Sequence, residues 1–541
     1  MKNKLSILIK SITLGIFLAG AVSCEDYLSV DPKSSWVKEA FYENEDEVQM
    51  GLAGIYNYLG QDATYGQVIS AMFEAGTDEA LFNRNNNNWA IGLYNHTPAD
   101  ANLRITWLAL YQGIEAANNF IAKVPNTSGI DETTRDSYLG EAYFMRALYY
   151  FDLVRWWGEV PLRLTPTAGI NDNDLAAASL EEIYQQIITD FTFASEHLPH
   201  AKDQSEPGHA NKMAAHGMLA RVYLTMAGYP MQKTEMYAEA AAQCDIVISD
   251  GWHQLNPSYK QVFLNYIENK YDRSESMFEV EFTLMRDQGI REDGRIGQIN
   301  GAQFYYYPTQ TEPFAYAMLQ NSVKLNSIYE EGDERDEWNN ARFICNSGGN
   351  ISKVSNELKI WPGKFRRWEP ITYGKITEGV GSYKVLEGVA TPDKNFTGIN
   401  YPLLRYADIL LMKAECENEI NGPANAYQYL DQVRVRAGLQ DVDKGTISGK
   451  EQFRKEIQDE RMRELCFEGV RKHDLIRWNI LGESLTELNE MIDATNRSDK
   501  DKALYKRAGE NFVPSKHTIM PYPIQETTMN QKLDQHSEWL Q

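Results

Sequence analysis

The 541-residue chain has only five cysteines, and no two of them form a CxxC pair. Cys244, Cys345, Cys416 and Cys466 are far apart, which supports neither a zinc site nor a thioredoxin-like motif. Cys416 and Cys466 fall in helical patterns and read as buried small apolar groups. Histidine is scarce at nine, and HExxH, GxSxG and P-loop patterns are missing. Positive charge is outnumbered: 76 acids face 53 lysines and arginines, for a net charge of −23. Such a field repels phosphate backbones, excludes nucleic acid as a partner and weighs against anionic ligands in general. Beyond the N-terminus no apolar run approaches the roughly 20 residues that a spanning helix needs.

What is present begins with a secretory pattern. Lys2 and Lys4 precede an apolar stretch that is uncharged from Ser11 to Val22, and the small Ser23 leads to Cys24. Residues 1–23 therefore read as a signal peptide. Cys24 after small residues reads as the acylated N-terminus of a lipoprotein, although Ala21 stands where such signals usually carry Leu. The alternative is an ordinary signal peptide with an incidental cysteine. A free thiol at a mature N-terminus would be a reactive liability, which favours lipidation.

Helical periodicity dominates the rest. "YPLLRYADILLMKAECENEI" places Leu403, Ala407, Leu410, Leu411 and Ala414 on one stripe. After the breaker "NGP", "ANAYQYLDQVRVRAGL" forms its partner and stops at Gly438. Similar hairpins are expected earlier, with Ala214 and Gly217 as small residues at a crossing. The pattern predicts a mostly α protein: a tetratricopeptide-like helical-hairpin scaffold over about 100–250 and 401–480, then a C-terminal segment 481–541. Residues 284–400 are rich in Gly, Asn, Pro, Tyr and Trp and read as a large, irregular loop-rich insertion with short strands. Residues 76–102 read likewise, and long loops of this kind carry function.

Several segments together resemble one family. They are "RALYYFDLVRWWGEVPL" (Arg146 to Leu162), "LLRYADILLMKAECENE" (Leu403 to Glu419), "LDQVRVRAGL" (Leu430 to Leu439), "ERMRELCFEGVRKHDLIRW" (Glu460 to Trp478) and "PYPIQETTMNQKLDQHSEW" (Pro521 to Trp539). With "SCEDYLSVDP" at the start, they resemble the SusD/RagB family of nutrient-binding lipoproteins, in the family's order and over nearly all of residues 24–541. The ending departs from the pattern, with Gln535-His536 for Gln-Asn and "SEW" for Pro-Gly-aromatic. The resemblance implies a SusD-like fold with a ligand site on its irregular face. It implies an acyl anchor at Cys24, and a place on the outer membrane facing outward. It also implies a partner, a SusC-like TonB-dependent transporter, to which oligosaccharide, or peptide in some members, is handed. Members bind and do not cleave, and the resemblance implies no cofactor.

Glu464, Glu468, Arg471, Asp474 and Arg477 recur at helical spacing and read as structural ion pairs rather than a Glu468–His473 acid–base pair. "DVDKGTISGKE" has the wrong spacing for a calcium loop, so no metal site is expected. A neutral sugar needs a flat aromatic for its C–H face and amide or charged groups for its hydroxyls. "RNNNNWAIGLY" offers Arg84, Asn88, Trp89 and Tyr94, "QFYYYPTQ" offers Tyr305 and Tyr306, and "WPGKFRRW" offers Trp361 and Trp368. These eight are the candidate ligand-binding residues, Trp89 foremost because it follows four asparagines. The rivals are a peptide binder of the same family, a glycoside hydrolase on a helical scaffold, and a pure interaction scaffold.

Overall fold

The computed structural model describes residues 41–540 apart from 87, 170–171, 173, 205–206, 285–291 and 390. Cys24 and the signal segment lie outside the described residues.

Helices begin where short polar side chains satisfy the first free amides. Asp100 accepts from Asn102 at the head of α1 (Ala101–Lys123), and Asp131 from Thr134 at the head of α2 (Glu132–Trp157). Ser179 and Glu182 form a reciprocal capping box at α3 (Leu180–His197). Asn211 caps α4 (Lys212–Ala227), which packs on α5 (Met236–Asp250). Consecutive helices pack as hairpins, and α2 is buried almost throughout its second half. Two glycines permit close packing against neighbouring elements. A Cβ on Gly113 would lie 2.5 Å from the Tyr149 ring, and one on Gly217 would lie 2.5 Å from Leu404.

The mostly helical, SusD-like architecture expected from the sequence is the one observed. One segment differs. Tyr401–Arg405 is a buried strand, paired antiparallel with Ser276–Val280, and only from Tyr406 does the chain enter α6 (Tyr406–Asn421). Pro402 disfavours a helical conformation at Tyr401, and Leu403 and Leu404 are buried from the strand instead. Gly422, at φ +79°, ends α6 before α7 (Tyr427–Arg436). Then come α8 (Lys450–Leu465), α9 (Arg471–Arg477), α10 (Leu481–Ala494) and α11 (Asp499–Asn511).

A buried charge network joins this helical part to the loop-rich part. Arg405 meets Glu275 at 2.6 Å, Glu464 at 3.0 Å and Glu468 at 2.6 Å; Arg335 meets Glu460, and Lys364 meets Glu468, each at 2.6 Å. Burial alone would raise the Glu464 pKa, but Arg436, Arg405 and Arg335 outweigh it and hold the carboxyl at about 2. The "ERMRELCFEGVRKHDLIRW" acids are thus structural. Cys244, Cys345, Cys416 and Cys466 are buried free thiols, and among the described residues no helix is long and apolar enough to cross a membrane.

Candidate functional site

The charge network also sets the path of the segment that leads to the first candidate loop. Arg471 grips Asp78 through two hydrogen bonds of 2.8 and 2.7 Å, and Lys472 donates to the Ala75 carbonyl at 2.6 Å. The chain then enters β1 (Ala80–Phe82), which pairs antiparallel with Leu319–Asn321. This pairing carries two loops, about 83–95 and 303–318, to one place. Asn83 clamps them by donating from Nδ2 to the Ala317 carbonyl at 2.7 Å and from its backbone to Met318.

Arg84 and Tyr305 meet across that junction. Arg84 Nη2 donates to Tyr305 Oη at 2.7 Å and to the Tyr316 carbonyl, and Tyr305 Oη donates to the same carbonyl at 3.0 Å. The Tyr305 ring stacks on Phe314 with centroids 5.8 Å apart and planes 21° apart. Tyr307 and Tyr316 meet Phe314 edge-on at 5.6 and 4.9 Å. Lys394 Nζ lies 5.4 Å from the Tyr307 ring centre and 5.0 Å from that of Phe314. Tyr305, Tyr307 and Tyr316 are half-buried, so the cluster has an outer face. It is held from behind by Arg367, which donates to the Phe314 carbonyl and to the Asp393 carbonyl at 2.7 Å.

Asn88 is exposed on the same loop as Arg84, its backbone amide donating to Asn86 Oδ1 at 3.1 Å. Tyr306 is half-buried but points elsewhere. Side chains alternate along extended chain, so Tyr306 joins Phe304 on the far side and packs against Gly349.

The other four candidates are core residues, where the sequence pointed to ligand-facing ones. Trp89 is 3% exposed and stacks on Phe82 at 5.1 Å. Its indole follows a polar run, yet the turn folds it back under the loop. Tyr94, also 3% exposed, donates to the Gly76 carbonyl at 2.7 Å, and burial pushes its hydroxyl pKa up. Trp368 is fully buried, donates to the Ala302 carbonyl at 3.1 Å and meets Phe304 and Phe343 edge-on. Trp361 is buried in the same cluster. A ring packed on both faces has none left for a sugar.

Sequence reasoning missed Phe314, Tyr316, Lys394 and Arg507. Arg507, on α11, donates to the carbonyls of Arg84 at 2.5 Å and Asn86 at 3.3 Å, pinning the asparagine-rich loop. Nothing in the helical pattern of α11 distinguishes it from a solvated arginine. The rejected Glu468–His473 pair is structural: Glu468 is bound by Arg405 and Lys364, and His473 lies against Trp156 at 4.2 Å, where burial holds its pKa well down.

Residues 305–539 match the family model described as the SusD family, and residues 26–224 match one described as starch-binding associating with outer membrane. The chain is 28% identical to SusD-like protein P25 of Formosa agariphila, over 96% of this chain and 97% of that one. A solved SusD homolog from Bacteroides thetaiotaomicron superposes with a TM-score of 0.81 at 26% identity, covering 93% of this chain and 98% of that one. A laminarin binding SusD-like protein shares the fold at a TM-score of 0.68 and 23% identity, covering 92% and 100%.

Proposed function

Because the chain belongs to the SusD/RagB family, we propose that it is a glycan-binding lipoprotein of the outer membrane. In this reading Cys24 carries the acyl anchor, and the protein faces outward. It captures oligosaccharide or polysaccharide and hands it to a SusC-like TonB-dependent transporter. It binds and does not cleave.

The observation that carries the reading is the outer face of Tyr305, Tyr307 and Tyr316 beside Arg84 and Asn88. Half-exposed rings can lie against the C–H faces of a pyranose. The guanidinium and amides beside them can meet its hydroxyls. Family descriptions that speak of starch binding and outer-membrane association, and a fold neighbour that binds laminarin, support the same ligand class.

The test is native affinity electrophoresis of the full chain in detergent through gels containing soluble polysaccharides, with a parallel assay for new reducing ends. Retardation by some glycans without new reducing ends is expected. New reducing ends would mean an enzyme. Free migration in every gel, with retention on oligopeptides instead, would replace the glycan by a peptide.

A further inference from the structure

The candidate glycan face carries concentrated positive charge in an acidic protein. Arg84 uses Nη2 for Tyr305 and Tyr316, and among the described residues its Nε and Nη1 meet no acceptor. Arg507 meets the backbone of the same loop and of its own helix, all carbonyls. Lys394 stands over the Tyr307 and Phe314 rings. Among the described residues, no carboxylate lies within 4.0 Å of the charged nitrogens of these three side chains. Acids of the neighbouring loops have other contacts: Glu387 pairs with Arg367. Glu312 accepts from Thr309 and Thr311, and Asp393 accepts from the amides of Asn395 and Phe396.

Several buried arginines are neutralised instead. Arg146, Arg405, Arg461 and Arg477 each meet carboxylates at 2.5 to 3.0 Å. In a chain of net charge −23, acids to complete such pairs are plentiful. Arg84 on the loop, Arg507 reaching it from α11 and an ammonium over the adjoining rings, with no carboxylate partner among the described residues, therefore give this face a local positive charge. The overall charge does not cancel it, because fields from distant acids fade over about 8 Å at physiological salt. A guanidinium fork matches a carboxylate or sulfate geometrically, and such charge-assisted bonds are roughly twice as strong as neutral ones.

We infer that the saccharide taken at this face is acidic: a polymer whose uronate or sulfate-ester groups seat against Arg84, Arg507 and Lys394 while its rings lie on Tyr305 and Tyr307. This rests on the glycan-binding reading above and narrows it.

The test measures binding of the full chain in detergent to polygalacturonate and to a sulfated galactan. Each is run beside its carboxyl-reduced or desulfated form, and a neutral β-glucan is included, at low and high sodium chloride. At least one acidic polymer is expected to bind, and which one does distinguishes uronate from sulfate. Removing its charges, or raising the salt, is expected to weaken binding about tenfold or more, since both abolish screened ion contacts. Lys394→Met keeps the stem over the rings and removes the charge, so it is expected to weaken acidic-polymer binding up to about fivefold. Neutral forms bound as tightly as charged ones, with no salt dependence, would overturn the acidic assignment and leave glycan binding standing. Binding of the β-glucan alone would do the same. Failure to bind either acidic polymer, while another glycan retards the chain in the electrophoresis above, would overturn this inference and leave the glycan reading standing.

Discussion

Tyr305 and Trp89 come from the two loops that meet at the site, and their surroundings give them different work. Tyr305 keeps its ring partly in solvent between Arg84 and Phe314. Replacing it with Ala removes a stacking surface and the acceptor for Arg84. Glycan affinity should fall about tenfold, as for a truncated aromatic anchor, with an unchanged circular dichroism spectrum; isothermal titration reads the first and would show no change if the ring faces no ligand. Trp89 is packed on Phe82. Trp89→Ala should cost about 3–5 kcal/mol of folding stability in urea denaturation, the range for a large core aromatic. A stable variant with lost binding would restore Trp89 to the ligand face. Glu464 gives a pH prediction. Its folded pKa of about 2 lies below the ordinary value of 4.5. Its carboxylate therefore stabilises the fold fully above about pH 4.5, and that contribution is lost as pH falls toward 2. Glu464→Gln should cost about 3–5 kcal/mol at neutral pH, by leaving Arg405 and Arg436 short of a partner. It should also flatten the fall in stability between pH 4.5 and 2, measured by thermal denaturation across that range.

Among the elements, α4 and the strand Tyr401–Arg405 approach closely at Gly217. Gly217→Val would drive a side chain into Leu404 and Ile409. A loss of about 1–3 kcal/mol is expected from overpacking, and a melting temperature equal to wild type would contradict the crossing. The sequence marked Gly217 as a close-packing position, but expected its partner to be the next helix, whereas it meets Leu404 and Ile409. The capped helices were legible: Ser179 with Glu182, and Asp131 before its helix, satisfy amides within a few residues. The strand Tyr401–Arg405 was not. Its apolar residues match a helical stripe, and its partner Ser276–Val280 is supplied from more than a hundred residues away. The Glu460 to Trp478 segment read as one helix with a ladder of ion pairs; its structural role holds, but the helix breaks between Leu465 and Arg471. Of the five residues in that ladder only Asp474 and Arg477 pair with each other at helical spacing, and Glu464, Glu468 and Arg471 find distant partners in Arg335, Arg405, Lys364 and Asp78.

At the scale of the whole molecule, the candidate site is assembled because β1 pairs with Leu319–Asn321 and draws together loops separated by over 200 residues. Composition pointed to both loops, since each combines aromatics with amides or charge. It did not say which aromatics turn inward. That depends on Phe82 for Trp89, on Phe304 and Phe343 for Trp368, and on strand alternation for Tyr306. Nor did it reveal Arg507, which reaches the site from 423 residues away along the chain. The same long-range assembly brings Arg507 to the loop of Arg84, on which the acidic-saccharide inference rests.

Hydrogen–deuterium exchange of the full chain, with and without a glycan that it retains, tests the central claim most directly. Protection confined to about 83–90, 303–317 and the turn around Lys394 is expected. Protection at other surfaces, with these segments unchanged, would contradict the placement of the glycan site.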